Sequence, residues 1–344
     1  MNTLTSYFEQ TISMHASDLH LVGGEFPMVR LNGQLQVLEQ TQMPEKELEQ
    51  ELLQIMNEKQ KDQYEETHDL DMGYTVHTTR FRLNVHQQDG KIGLAARRIP
   101  EDIPTPEALH FEAPLLELPQ LLDGLVLVVG PTGHGKSTTI ASLINEINKK
   151  RKAHIVTIED PIEFVFQDDQ SLVEQREVGT DTVSFAAALK HVLRQDPDVI
   201  FVGEMRDPET IATALTAAET GHLVFSTLHT SNAAEAIERI VDVFEGAKQK
   251  QVLIQLGAVL RAVVAQQLVP AIDGTLIAAR ELLINTPAVA NLIRENNISQ
   301  IISVMQTSAK SGMITMEHAL KTLVAEGKIS EETMVHRLGQ QRKI

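Results

Sequence analysis

Continuous apolar runs alternate with one-sided apolar stretches over the middle of the chain. An uninterrupted apolar run of strand length is typical of a strand buried on both faces of a sheet. Such strands are predicted at residues 125–129, 199–202 and 223–228, with a further strand at 154–158. Ser184 begins one of the intervening stretches, in which the apolar side chains share one helical face. This alternation predicts a parallel sheet with helices on both faces, which is an α/β fold.

The N-terminal part of the chain carries shorter patterns, which indicate a small α+β unit. Pro44 precedes a helix predicted over residues 45–56, whose apolar residues recur on one side. The dipeptide Asn32-Gly33 is typical of a two-residue hairpin turn. Strands are predicted over residues 28–31, 71–76, 79–85 and 92–99.

The stretch between these two regions is rich in proline, which is typical of a linker. Prolines stand at positions 100, 104, 106 and 114. From Thr286 onward the pattern is helical. We therefore predict a small N-terminal domain over residues 1–105, a larger α/β core over 106–285 and a helical C-terminal part over 286–344.

Composition excludes several classes of protein. The chain has no cysteine, so disulfides and thiolate metal sites are ruled out, and a reducing cytoplasmic setting fits. No apolar run approaches the ~20 residues that a membrane-spanning helix needs, so no membrane insertion is expected. The first ten residues lack the basic and apolar regions of a signal peptide. The formal net charge of -17 disfavours nucleic acid as a partner.

A glycine-rich loop follows the first buried strand of the core. It reads Gly130-Pro-Thr-Gly-His-Gly-Lys136-Ser137, which fits the phosphate-binding pattern G-x-x-x-x-G-K-[ST] between a strand and a helix. The glycines let backbone amides turn towards phosphate oxygens, Lys136 neutralises the β and γ phosphates, and Ser137 ligates Mg²⁺. ATP is therefore the expected ligand. The residues expected to contact it are Gly130, Thr132, Gly133, His134, Gly135, Lys136, Ser137 and Thr138.

Acidic residues end two neighbouring strands of the core. Glu204 follows the apolar run 199–202 and is the expected carboxylate on the Mg²⁺ side, where it holds a metal-bound water or orients the attacking one. Glu163 lies just beyond the strand 154–158 and is the candidate general base. The alternative is that both are solvated surface acids. The phosphate loop upstream favours the catalytic interpretation.

Histidines and arginines supply further candidates, each with a structural alternative. His222 and His229 flank one strand and could sense the γ-phosphate or orient a carboxylate, but single histidines are often structural. Arg80 and Arg82 share a face of a predicted strand, and Arg97 lies on the next. A phosphate-facing arginine would stabilise the transition state, whereas a solvated strand face is the plainer interpretation.

Several long signatures, in order, resemble the type IV pilus retraction ATPases, the PilT family of the type II/IV secretion ATPase superfamily. The phosphate loop corresponds to the family's Walker A motif. The other matching segments are Ala-Ser-Asp-Leu-His-Leu at 16–21, Arg-Phe-Arg at 80–82, the aspartate box at 157–164, the Walker B region at 193–207 and the histidine box at 220–230.

This resemblance implies a PAS-like N-terminal domain, a RecA-like ATPase core and a ring of six identical subunits. It implies that ATP lies between the two domains of a subunit. Turnover would drive domain rotation against an inner-membrane platform protein at the pilus base, with a second retraction ATPase left open as a partner. Carried over residue by residue, it implies a base at Glu163, a Walker B acid at Glu204 and γ-phosphate arginines at Arg80, Arg82 and Arg97. His222 and His229 become site residues.

Two departures and three alternatives accompany the resemblance. His134 stands where the family usually has serine, and Ala290 replaces an arginine of the retraction signature at 288–295. An assembly or secretion ATPase would usually carry a further N-terminal domain and a four-cysteine zinc module. A catalytically silent ring subunit would not need Glu163, Glu204 and Lys136 together. A nucleic-acid translocase is disfavoured by the charge.

Overall fold

The computed structural model describes residues 3–31, 33–100 and 102–341. Within them the chain forms two compact units. The N-terminal unit contains the residues up to Asp102 together with Asp160–Val165 and Glu177–Asp181. The C-terminal unit contains Ile103–Glu159, Phe166–Arg176 and the chain from Thr182 onward. The short segments Asp160–Val165 and Glu177–Asp181 were expected in the core, but they pack with the N-terminal unit. The limits of the three predicted parts stay a prediction.

The N-terminal unit is an antiparallel sheet with helices. Its elements are α1 (Thr3–Ser13), β1 (Asp18–Val22), β2 (Met28–Leu31), β3 (Gln34–Val37), α2 (Glu45–Ile55), α3 (Glu58–Thr67), β4 (Asp69–Val76), β5 (Thr79–Gln88) and β6 (Lys91–Arg98). The strand order is β3-β2-β1-β6-β5-β4. In β2 and β3, Leu31 pairs with Gln34, and Asn32 of the predicted hairpin lies outside the described residues. Sequence analysis missed α1, α3, β1 and β3.

Strand β5 shows how the sequence divides the two faces of this sheet. Phe81, Leu83 and Val85 are buried, and they alternate with Arg80 and Arg82 on the other face. The buried side chains pack with α1, where the tilted rings of Phe8 and Phe81 have their centroids 4.8 Å apart. The predicted pairing of Arg80 and Arg82 on one face is therefore confirmed.

The C-terminal unit is an α/β layer structure. Its first elements are a 3₁₀ helix (Ala113–Gln120), β7 (Gly124–Val129), α4 (Lys136–Lys150), β8 (His154–Glu159), β9 (Leu172–Glu177), α5 (Phe185–Val192), β10 (Val199–Val202), α6 (Pro208–Glu219), β11 (Leu223–Leu228) and α7 (Ala233–Asp242). Then come α8 (Ala247–Val259), β12 (Leu260–Pro270), β13 (Leu276–Ile284), α9 (Pro287–Arg294), a 3₁₀ helix (Ile298–Gln300), α10 (Ile301–Thr307), a 3₁₀ helix (Ala309–Ser311), α11 (Met316–Ala325) and α12 (Glu331–Gln341).

The sheet of this unit has the order β13-β12-β7-β11-β10-β8-β9. β7, β11, β10 and β8 run parallel, as predicted. β12 adds a further parallel strand beside β7, whereas β13 pairs with β12 in the antiparallel sense. The hairpin β12–β13 and strand β9 were missed by sequence analysis. β7, β10 and β11 are buried along their whole length, which explains their uninterrupted apolar sequences.

The parallel register brings the carboxyl ends of three strands to one edge. Val129, the last residue of β7, pairs with Leu228, the last residue of β11. Val202, the last residue of β10, pairs with Ser226. The segments that follow these strands therefore meet at this edge, where ligands usually bind in open α/β sheets.

Across the residues that the structure describes, no helix combines the length and apolar character needed to cross a bilayer.

Candidate nucleotide-binding site

The glycine-rich loop joins β7 to α4, and its backbone requires glycine. Gly130, Gly133 and Gly135 have φ angles of 149°, 77° and 78°, which residues other than glycine rarely adopt. A Cβ at Gly130 would also collide with the carbonyl oxygen of Gln266 in the neighbouring strand. Gly135 caps α4, so the helix begins at Lys136 and its amino end adjoins the loop. This arrangement suits an anion.

Lys136 is buried and its ammonium group follows the inside of the loop. Its Nζ donates to the carbonyl oxygens of Gly130 at 2.8 Å and Pro131 at 3.0 Å. The same Nζ lies 3.4 Å from Nδ1 of His229, which also lies 3.2 Å from the hydroxyl of Thr132. The loop and the residue after β11 therefore form one polar cluster around a positive charge.

Glu204 completes this cluster from the end of β10. Its Oε1 lies 3.3 Å from Nε2 of His229, and its Oε2 lies 2.7 Å from a guanidinium nitrogen of Arg206. Burial alone would raise the pKa of Glu204, but the hydrogen bond from Arg206 and the neighbouring His229 hold it below its usual range. His229 thus bridges a carboxylate and the phosphate loop. Sequence analysis missed Arg206, although it lies two residues after Glu204.

A second layer of polar contacts supports the loop from β12 and β13. Gln266 accepts hydrogen bonds from the Thr139 hydroxyl at 2.7 Å and from Nε of Arg280 at 2.8 Å. Its amide nitrogen donates to the carbonyl oxygen of His134 at 2.8 Å. Arg280 is fully buried, and its other nitrogens reach the carbonyl oxygens of Leu109 and His110. Sequence analysis missed Gln266 and Arg280 because no motif marks them.

His134 is attached to the same strand by its side chain. The backbone N–H of Leu268 donates to Nδ1 of His134 at 2.9 Å, so the neutral ring with the proton on Nε2 fits this contact. Burial, followed by the charges of Arg337 and Lys136, lowers the pKa of His134. The departure from the family's serine therefore adds a contact between the loop and β12.

Replacing His134 by serine should reduce the acid sensitivity of the fold. The pKa of His134 is lowered in the folded state, so the unfolded chain takes up a proton more readily. The free energy of unfolding therefore falls as the pH drops below the unfolded value of about 6.5. We expect the melting temperature of the wild type to fall further between pH 7.5 and pH 5.5 than that of His134→Ser. Equal falls in thermal unfolding experiments would contradict this assignment.

The remaining candidates in the N-terminal unit form ion pairs. Arg82 and Glu163 are both about half exposed, at 43% and 46%, with Nη1 and Oε1 3.8 Å apart. Arg97 donates to Asp18 at 2.9 Å and leaves most of its guanidinium exposed. Arg80, in contrast, is largely buried and pairs with Glu177, which sequence analysis missed. Arg82 and Glu163 are thus brought together, whereas Arg80 and Arg97 each have their own carboxylate partner.

His222 lies at the amino end of β11, opposite the end that carries His229. Its Nδ1 contacts the carbonyl oxygen of Ala217 at 2.9 Å and the hydroxyl of Thr220 at 3.2 Å. The six residues of β11 separate it from the loop by about 20 Å at the usual rise per residue of a strand. The structure therefore does not bring His222 to the phosphate loop of its own subunit, and its role stays a prediction.

Comparisons with known proteins identify the family. A model described as type II/IV secretion system protein matches residues 110–341. The type IV pilus retraction ATPase PilT of Pseudomonas aeruginosa is 46% identical over 318 residues, which are 92% of each chain. The chain belongs to the type IV pilus retraction ATPase family. The expected fold, with a small N-terminal domain, a RecA-like core and C-terminal helices, is thereby confirmed, and the chain is an ATPase.

Two further relatives of this family extend the comparison. The type IV pilus ATPase PilU of Pseudomonas aeruginosa is 41% identical over 93% of this chain and 85% of its own. A crystal structure described as the pilus retraction motor PilT with bound ADP superposes with a TM-score of 0.89 at 46% identity. The superposition covers 97% of this chain and 96% of that one. A member of this family therefore binds a nucleotide, which supports nucleotide binding at the loop of this chain.

Proposed function

We propose that the chain is the ATP-hydrolysing motor that powers type IV pilus retraction. The observation that carries the proposal is the cluster of Lys136, His229 and Glu204 at the carboxyl edge of the parallel sheet. A lysine inside a phosphate loop and a carboxylate at the end of a neighbouring strand are the groups with which P-loop ATPases hold the phosphates and Mg²⁺. The PilT and PilU relatives support the pilus assignment.

The loop and α4 bind the triphosphate. Backbone amides at the start of α4 and the positive end of its dipole attract phosphate oxygens. Lys136 exchanges its contacts with the carbonyl oxygens of Gly130 and Pro131 for the β and γ phosphates. Thr132 and Thr138 flank the bound phosphates, and Gln266 keeps the loop in shape through His134.

Mg²⁺ fits the donors at this edge. The hydroxyl of Ser137, in the first turn of α4, and the carboxylate of Glu204 would hold the ion, the latter directly or through water. The lowered pKa of Glu204 keeps that carboxylate ionised, as a ligand for a hard cation requires. The ion would neutralise charge that develops on the phosphate oxygens.

In this proposal the hydrolytic step uses the acids and arginines that the family resemblance implies. Glu163 takes the proton of the attacking water, and Glu204 with His229 orients that water. Arg80, Arg82 and Arg97 stabilise negative charge as the terminal phosphate leaves. The proximity of Arg82 to Glu163 supports a role for both in one step. The buried pairing of Arg80 with Glu177 gives Arg80 a positional role as well.

The assembly proposed for this motor is a homohexameric ring in the cytoplasm, associated with the inner membrane at the pilus base. Its partner there is the platform protein of the pilus, and a second retraction ATPase is a further candidate partner. These assignments rest on relatedness to PilT and PilU. Ala290 lies in the segment 288–295, which matches the family's retraction signature, and stands there in place of an arginine.

Two measurements test this function together. Purified chain with Mg²⁺ and ATP should release phosphate, and cells that lack the gene should accumulate surface pili that do not retract. Complementation with the wild type, but not with Lys136→Ala, should restore retraction. Absence of pili in the deletion strain would favour an assembly ATPase, and a chain that binds ATP without releasing phosphate would favour a silent ring subunit.

A further inference from the structure

Glu177 is the last residue of β9 and belongs to the N-terminal unit, where its buried carboxylate has partners from several segments. Only 2% of the surface of Glu177 is exposed. Oε2 accepts a hydrogen bond from the backbone N–H of Ile162 at 3.1 Å and pairs with the guanidinium of Arg80. Oε1 accepts from the backbone N–H of Gly73 at 3.1 Å and from the hydroxyl of Thr180 at 3.3 Å. One side chain therefore connects β4, β5 and the segment Asp160–Val165.

Gly73 shows that the surroundings of this carboxylate leave no room for another atom. A Cβ added at Gly73 would lie 2.7 Å from Oε2 of Glu177 and would collide with the guanidinium of Arg80. The φ angle of Gly73 is not in the left-handed region, so the backbone itself would accept alanine. Space, and not conformation, therefore requires glycine here. The strand is shaped to admit the ion pair of Arg80 and Glu177.

The contact with Ile162 connects Glu177 to the residue proposed as the catalytic base. Ile162 immediately precedes Glu163, the proposed base, whose side chain is about half exposed and has Oε1 3.8 Å from Nη1 of Arg82. A side chain on a loop is aimed by its backbone, and a displacement of about 1 Å of a catalytic group can cost 10²-fold in rate. The buried Glu177 holds that backbone at the residue before the base.

We propose that Glu177 is a positioning residue for Glu163: its buried carboxylate holds the Ile162 amide and thereby sets the placement of the base. This inference rests on the proposed function, because it assigns a role within the hydrolytic step. Glu177 acts through the backbone and contacts neither nucleotide nor water in this scheme. Its loss should therefore affect the rate of turnover more than the affinity for nucleotide.

Two independent substitutions test the proposal in the assembled protein. Glu177→Asp keeps the charge that Arg80 needs but withdraws it from the Ile162 amide by one methylene. Gly73→Ala adds a Cβ on β4 that would displace the ion pair of Arg80 and Glu177. We expect each to lower kcat for ATP hydrolysis about 10-fold or more and to leave KM within about twofold. Glu174→Gln on the same strand and Gly339→Ala, where a Cβ meets nothing within 4 Å, are the matched controls.

A double-mutant cycle separates positioning from a general structural role. If Glu177 acts through Glu163, Glu177→Asp should change the residual rate of Glu163→Gln by less than about twofold, because the base is already gone. A full additional loss in the Glu163→Gln background would overturn the proposal, as would normal kcat in both single variants with unchanged thermal unfolding. If the wild type itself hydrolysed no ATP, the proposed function would fail instead, so the two failures are distinguishable.

Discussion

Glu204→Gln is expected to lower kcat for ATP hydrolysis by roughly 10²-fold or more, while nucleotide affinity stays within about threefold of the wild type. The two properties separate because they depend on different groups. Affinity comes from the amides of the loop, the end of α4 and Lys136, all of which remain in place. Turnover needs a charged oxygen beside Mg²⁺ and the attacking water, and glutamine supplies a neutral one.

The contacts of Glu204 explain why glutamine is the informative replacement. It has the same shape, and its one amide oxygen can still accept from either Arg206 or His229, so the cluster that links β10 to the phosphate loop is kept in part. Loss of the negative charge and of one acceptor oxygen should lower the free energy of unfolding by about 1–3 kcal/mol. The lowered pKa means that this stabilisation is present at neutral pH and is lost in the wild type only as the pH falls through the folded pKa.

Equilibrium binding of a fluorescent ATP analogue and steady-state phosphate release measure the two effects. Glu209→Gln is a suitable control, since Glu209 lies five residues further on, is exposed and pairs with Lys190 on the surface. Near-normal phosphate release by Glu204→Gln would remove Glu204 from the mechanism. A loss of binding equal to the loss of turnover would mean that the carboxylate shapes the loop instead of acting on water.

The part of this site that the sequence predicts is the part carried by neighbouring residues. The loop from Gly130 to Ser137 holds its glycines, lysine and hydroxyl in one segment between a strand and a helix, so its geometry follows from local rules. The buried parallel strands were predicted for the same reason, because each has an uninterrupted apolar run. The position of Glu204 then follows from the rule that ligands bind at the carboxyl ends of such strands.

The same rule distinguishes the two histidines, although sequence analysis applied it to neither. Both flank β11, but only His229 follows the carboxyl end, and it alone of the two contacts Glu204 and the loop. His222 precedes the strand and contacts the end of α6. Strand direction, which the βαβ alternation already implies, was sufficient to separate them.

Residues whose role comes from distant partners could not be predicted. Gln266 meets Thr139 across 127 positions of the sequence, and Arg80 meets Glu177 across 97. No local pattern distinguishes a buried glutamate that binds an arginine from one of the chain's many solvated acids. The hairpin β12–β13, which supplies Gln266 and Arg280, was missed because its mixed apolar and polar sequence does not follow a clear period.

Glu163→Gln is expected to have the largest effect on catalysis, with kcat lowered by about 10²–10⁴-fold, the usual contribution of general base catalysis. Glutamine cannot accept the proton of the attacking water, whereas it preserves the size of the side chain. Stability should hardly change, because the contact with Arg82 is long and both side chains are about half exposed, and such pairs contribute about 0–1 kcal/mol. Thermal unfolding and nucleotide binding should both match the wild type.

Single-turnover hydrolysis with labelled ATP measures the residual rate, and Glu174→Gln controls for loss of an exposed acid elsewhere in the chain. Comparison with Arg82→Ala then separates the functions of the pair. An arginine that stabilises the leaving phosphate should reduce kcat on its own account, and the double variant should lose more than either single one. If Arg82 only oriented Glu163, adding Arg82→Ala to Glu163→Gln would cost nothing further. Turnover by Glu163→Gln at the wild-type rate would transfer the role of base to another carboxylate, with Glu204 the first candidate because His229 already ties it to the phosphate loop.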